Sequence, residues 1–100
     1  MKKLLMLLFV GVAFAAPAFA ADGSALYTEK GCNACHGEGG KSSVNIYPNL
    51  AGQRADYVFA QATAIRDGKR TNGGAAAMTA LVATVSDEEF HAIADYLSGL

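Results

Sequence analysis

The chain has 100 residues, 52% of them hydrophobic and 17% charged, with eight basic residues, nine acidic residues and a formal net charge of −1. That length holds a single small domain. Two of the eight basic residues, Lys2 and Lys3, stand in a segment read below as a removable leader; the six left against nine acids make the surface formally −3, which disfavours nucleic acid as a partner.

At the amino terminus, Lys2 and Lys3 precede the apolar run Leu4-Leu5-Met6-Leu7-Leu8-Phe9-Val10, and Ala18-Phe19-Ala20 supplies small residues where signal peptidase needs them. The pattern predicts a Sec signal peptide over residues 1–20 and an exported, soluble domain over residues 21–100. Gly11 and Pro17 interrupt a run too short to span hydrocarbon comfortably, and no basic stop-transfer flank follows, so no stable membrane anchor is expected after cleavage. No cysteine stands at the cleavage site to carry a lipid. The remaining domain, at roughly eighty residues, is of a size at which an apolar core needs a disulfide, a metal or a cofactor as a staple.

Along the mature chain, Asp22 is placed to cap a short helix through Ala25, Leu26 and Tyr27 toward Lys30, with Gly31 as the break before the first cysteine. Gly37 to Gly52 is rich in Gly, Ser, Asn and Pro and reads as an irregular loop. Tyr57, Val58, Gln61, Ala62 and Ile65 recur at helical spacing, in a segment that starts near Gln53 or Arg54 and closes at Gly68. Arg70 to Gly74 reads as a turn, and Ala75 to Ala83 is compatible with a helix or with a packed loop. In the last segment Ser86 and Glu89 form a capping box, Asp87 and Glu88 complement the helix dipole, Phe90, Ile93, Ala94 and Leu97 share one face, and Gly99 ends the helix. With no β-type alternation and no internal repeat, the fold class is all-α, with three to five short helices.

Chemistry concentrates at Cys32-Asn33-Ala34-Cys35-His36. Two thiols at this spacing add across the two vinyl groups of a haem, and the next residue presents an imidazole to the iron. A disulfide, a thioredoxin-type redox pair and half of a zinc site use the same thiols. The redox pair wants a βαβ surround that is missing here, and zinc would have to recruit His91 from the far end of the chain. Export and spacing favour one covalent haem c on Cys32 and Cys35, with His36 as an axial iron ligand. Met78, the one methionine of the mature chain, lies some forty residues beyond His36 and between two predicted helices, and is the candidate for the opposite axial position. Asp87, His91 and Asp95, four apart, form a stripe on the last helix that reads most simply as solvated surface.

With Cys32–His36, the run Pro48-Asn49-Leu50-Ala51-Gly52-Gln53, then Tyr57, Gln61, Arg66, Gly68 and Arg70, Met78, and Ser86-Asp87-Glu88-Glu89 with Ala94 and Tyr96, the chain resembles the class I cytochromes c. Within them it is most similar to small bacterial monohaem proteins that resemble one half of the dihaem periplasmic cytochromes. The resemblance implies a class I cytochrome c fold in which the first and last helices cross near one haem edge and the methionine sits on a loop opposite the histidine. It also implies that the Pro48 carbonyl accepts the His36 ring N–H and so fixes the imidazole. Ala62 and Ile65 depart from the larger aliphatic and aromatic residues usual there. The implied function is a periplasmic electron carrier rather than an enzyme, exchanging one electron with redox partner proteins. Gly73 to Ala77, just before Met78, is a candidate docking patch for them.

Overall fold

The computed structural model describes residues 22–100, and the predicted leader lies outside them. Five α-helices follow in order: α1 Gly23–Glu29, α2 Cys32–His36, α3 Ala55–Arg66, α4 Ala75–Leu81 and α5 Asp87–Ser98, with a 3₁₀ turn at Glu38–Gly40. Among the described residues there is no strand, and the fold is the all-α architecture expected.

Local chemistry sets the helix ends. The Asp22 carboxylate accepts from the backbone N–H of Ser24 at 3.0 Å and of Ala25 at 3.2 Å, which starts α1. At the other end of the chain, Glu89 N–H donates to Ser86 Oγ at 3.1 Å while Ser86 N–H donates to Glu89 Oε1 at 3.0 Å, closing the capping box of α5. α3 begins one residue later than its periodicity suggested, with Arg54 as its extended N-cap.

Helix α1 crosses α5 at very close range. A Cβ on Gly23 would stand 2.1 Å from the Ala92 carbonyl oxygen and 2.7 Å from Tyr96 Cβ, so only glycine lets the two backbones meet. α3 also packs on α5, and α4 packs on α3. The join between α3 and α4 is a hydrogen bond from Thr79 Oγ1 to the Ile65 carbonyl at 3.0 Å. The join between α3 and the start of α5 is Arg66, whose Nη1 donates to the Val85 carbonyl at 3.1 Å and to Asp87 Oδ1 at 2.6 Å.

The buried core divides in two. Ile65, Ala75, Val82, Val85 and Phe90 form one cluster, with Phe59, Ala62 and Met78 packed against it. Tyr27, Ile93 and Leu97 form the other, with Leu26, Cys32, Leu50, Val58 and Tyr96 against it. Residues of α3 and α5 serve both clusters. Ile65, the smaller residue noted above, is fully part of the first.

Two expectations are corrected. Ala75 to Leu81 is helical, so Met78 stands within α4 rather than on a loop; the run of alanines ahead of it carries the highest helix propensity of any residue type. Ala75 is buried at 6% exposure and belongs to the core, leaving Gly73, Gly74, Ala76 and Ala77 of the candidate docking patch at the surface. Asp87, His91 and Asp95 are all exposed, as expected of a solvated stripe, with Asp87 paired to Arg66 and the His91 ring lying flat on Phe59, centroids 3.7 Å apart and planes within 6°.

Candidate functional site

Helix α2 is a turn and a half long and consists of the Cys-X-X-Cys-His motif itself. Helical spacing puts Cys35 and His36 three and four residues beyond Cys32, one turn above it. The two cysteines are not joined in a disulfide and both are half-buried, and burial at Cys32 would push a thiol there up.

His36 is only 5% exposed, and its ring nitrogen Nδ1 lies 2.9 Å from the Pro48 carbonyl oxygen. A carbonyl can only accept, so the contact puts the proton on Nδ1 and leaves Nε2 of the neutral ring with a free lone pair. Among the described residues the hydrogen bond to Pro48 is the one this ring makes. A buried imidazole held in this tautomer, with Nε2 left over, is the donor arrangement a metal ligand requires.

The Pro48 carbonyl is itself held. Ser42 N–H donates to Asn49 Oδ1 at 2.7 Å and Gln53 Nε2 donates to the Asn49 carbonyl at 2.8 Å, bracketing the residue after Pro48. Further along, the N–H groups of Leu50 and Ala51 both reach the Gly40 carbonyl, at 2.8 and 3.1 Å. Gly40 has φ +72°, and a Cβ there would come within 2.7 Å of the Ala51 nitrogen, so the loop closes on the motif only over a glycine. From the other side, the Tyr27 hydroxyl donates to the Gly37 carbonyl at 2.6 Å and pins the residue after His36.

The structure thus brings Cys32, Cys35, His36 and Pro48 together, whereas Met78 stands apart from them, half-buried in the α3–α4–α5 cluster. Sequence reasoning missed the clamp made by Tyr27. Its signal was a tyrosine on an apolar face: a hydroxyl buried with the ring, here 1% exposed, has to find an acceptor.

A haem fits these residues. Cys32 belongs to one core cluster and Met78 to the other, so a broad apolar group attached at α2 would meet both. Val44, Ile46, Tyr47, Tyr57, Leu81 and Leu100 stand exposed, Ile46 at 78%.

An all-helical domain built on a Cys-X-X-Cys-His turn, with the imidazole proton tied to a main-chain carbonyl, has the make-up of a c-type cytochrome. The family model described as Cytochrome c matches residues 20–100, and the chain belongs to that family. It is 40% identical over 104 residues to cytochrome c-553 of Nitratidesulfovibrio vulgaris, covering 100% of both chains. It is 48% identical over 67 residues to cytochrome c-554(548) of Halomonas halodenitrificans, covering 67% of this chain and 81% of that one. Among solved structures, reduced cytochrome c4 from Pseudomonas stutzeri superposes with a TM-score of 0.70 at 33% identity, covering 84% of this chain and 49% of that chain. The chain thus spans about half the length of that c4 structure. Membership makes the cofactor a covalent haem c and the function haem-based electron transfer. No helix of the described residues is long and apolar enough to cross a membrane.

Proposed function

We propose that this chain is a periplasmic one-electron carrier, exported by a leader over residues 1–20, whose single haem is attached through Cys32 and Cys35 and whose iron is held by His36 and Met78. The observation that carries the reading is the 2.9 Å contact between His36 Nδ1 and the Pro48 carbonyl, because it fixes the tautomer and leaves Nε2 as the donor atom. Haem bound there supplies one-electron chemistry, its iron alternating between ferrous and ferric.

The chain's own residues act by holding still. The Pro48 carbonyl keeps the imidazole proton in place and raises the basicity of Nε2. Tyr27 and the Asn49 brackets hold the two peptide segments on either side of that bond. Met78, placed in a cluster tied to α3 through Thr79, offers a neutral thioether, which favours the reduced state over the oxidised one. None of the roles assigned to these residues moves a proton to or from a substrate, which is why the reading is a carrier rather than an enzyme. Its partners are a donor and an acceptor protein.

The test is a pair of substitutions at Met78 in the secreted, haem-loaded protein. Met78→Ala is expected to abolish the weak long-wavelength band of ferric iron bonded to a thioether, lower the reduction potential and let cyanide or carbon monoxide in. Met78→Leu keeps most of the volume, so a methionine that only fills the core would leave the spectrum and potential as they were. That outcome refutes the ligand and opens the reading of a sensor or enzyme with a free iron position.

A further inference from the structure

His36 is 5% exposed, but the residues that hold and cover its ring come from the surface: Pro48 is exposed, and Tyr47 before it is 37% exposed. The Tyr47 ring packs against the imidazole with centroids 6.5 Å apart and planes inclined by 61°, the edge-to-face arrangement that aromatic rings favour. One dipeptide thus supplies both the carbonyl that holds the His36 proton and the ring that lies against the imidazole.

The ring is placed by a built turn. Tyr47 N–H donates to the Val44 carbonyl at 3.0 Å. The Ser42 hydroxyl donates to that same carbonyl at 2.8 Å and accepts from Val44 N–H at 3.1 Å. Ser42 N–H in turn reaches Asn49 Oδ1, so one residue braces both the turn that carries Tyr47 and the peptide beyond Pro48. The Tyr47 hydroxyl takes no part in these bonds. A hydrogen bond kept from water is electrostatically stronger than the same bond in water, because water competes for its donor and its acceptor. An aromatic edge laid against the imidazole occupies space from which water would otherwise reach the bond.

We propose that Tyr47 shields the hydrogen bond between His36 and the Pro48 carbonyl from water and so sustains the basicity of Nε2, a role that rests on the haem-carrier reading above. The ring does the shielding and the hydroxyl does not. Tyr47 is a positioning residue: it acts on the iron only through the imidazole, by keeping dry the bond that fixes the proton on Nδ1.

The experiment uses reduced holo-protein labelled with nitrogen-15 and the variants Tyr47→Ala and Tyr47→Phe, with haem content checked first by mass and Soret absorbance. Exchange of the His36 Nδ1–H with water is read by NMR, and the reduction potential is measured beside it. In the alanine variant exchange should quicken about five- to tenfold, the loss of protection that one net hydrogen bond represents. Its potential should rise, because a weaker bond at Nδ1 leaves Nε2 less basic and the ferric state less well supported. Phenylalanine keeps the ring and should keep the parent's values of both. An alanine variant that exchanges at the parent's rate overturns the proposal. So does a phenylalanine variant as fast as the alanine one, since the hydroxyl would then be the active part. Faster exchange with an unchanged or lower potential also overturns it, because the bond would then not be what Tyr47 tunes. If the alanine variant yields no holo-protein, Tyr47→Leu decides: it lacks the ring's edge and should exchange faster than the phenylalanine variant, and equal rates refute the shield. A parent protein without covalent haem overturns instead the reading on which the proposal rests.

Discussion

Replacing Tyr27 with phenylalanine removes one oxygen atom from the middle of the domain and nothing else. The ring stays, 1% exposed and packed with Ile93 and Leu97, so the cost is that of the hydroxyl's 2.6 Å bond to the Gly37 carbonyl. An orphaned buried acceptor would cost up to about 3 kcal/mol, but Gly40 N–H also donates to that carbonyl at 3.2 Å, so one partner survives. The expected loss is therefore that of one net hydrogen bond, about 1–1.5 kcal/mol, or a fall in Tm of about 4–12 °C for a domain this size. Thermal unfolding of the holo-protein, followed by circular dichroism near neutral pH, reads it. An alkaline arm isolates the same group. Burial pushes the Tyr27 phenol up to about 12. The folded state thus favours the neutral form, and the stability this contributes is present below the ordinary tyrosine range near pH 10 and lost as the pH rises through about 12. The phenylalanine variant should lack that part of the alkaline decline. A variant as stable as the parent, with the same alkaline curve, would refute the clamp.

Gly23→Ala should cost about 2 kcal/mol or more in chemical denaturation, because the new Cβ would stand 2.1 Å from the Ala92 carbonyl and α1 can relieve it only by lifting off α5. Ser86→Ala should cost about 1 kcal/mol by the same measurement, removing the acceptor for Glu89 N–H at the start of α5 while leaving the visible spectrum untouched. Ala76→Lys and Ala75→Lys should separate docking from folding: the first, on the exposed surface, slows electron exchange with a redox partner at unchanged Tm, and the second, at a position 6% exposed, lowers Tm.

The features legible in the sequence are those whose chemistry is local. Asp22 and the Ser86–Glu89 pair cap helices through bonds that span only a few residues, and the Cys32–His36 turn carries its own geometry. Phe90, Ile93, Ala94 and Leu97 were readable as one face because helical period alone aligns them, and all four are buried. Contacts made across the fold left no such trace. His91 is exposed, as its stripe suggested, but Phe59 of α3 lies beneath its ring, and nothing in the spacing of α5 encodes what α3 presents. Arg66 reads from its own helix as a basic residue in a last turn, while its bonds to Val85 and Asp87 depend on where the chain returns some twenty residues later. The alanine run before Met78 was ambiguous for another reason: alanine favours helix, yet its small side chain gives no amphipathic pattern to read.

The acceptor that orients His36 is a main-chain oxygen, and this shapes how the protein can evolve. A side-chain partner could be deleted by one nucleotide change; the carbonyl of residue 48 survives any substitution at that position. Inheritable tuning of the imidazole is thus displaced onto the residues that aim the peptide, Asn49 through its bond from Ser42 and Gln53 through its bond to the Asn49 carbonyl. Mutations there shift the direction of the bond by degrees instead of abolishing it. Selection acting on this loop has a graded control over the direction of the imidazole, while the bond itself is sheltered from accident.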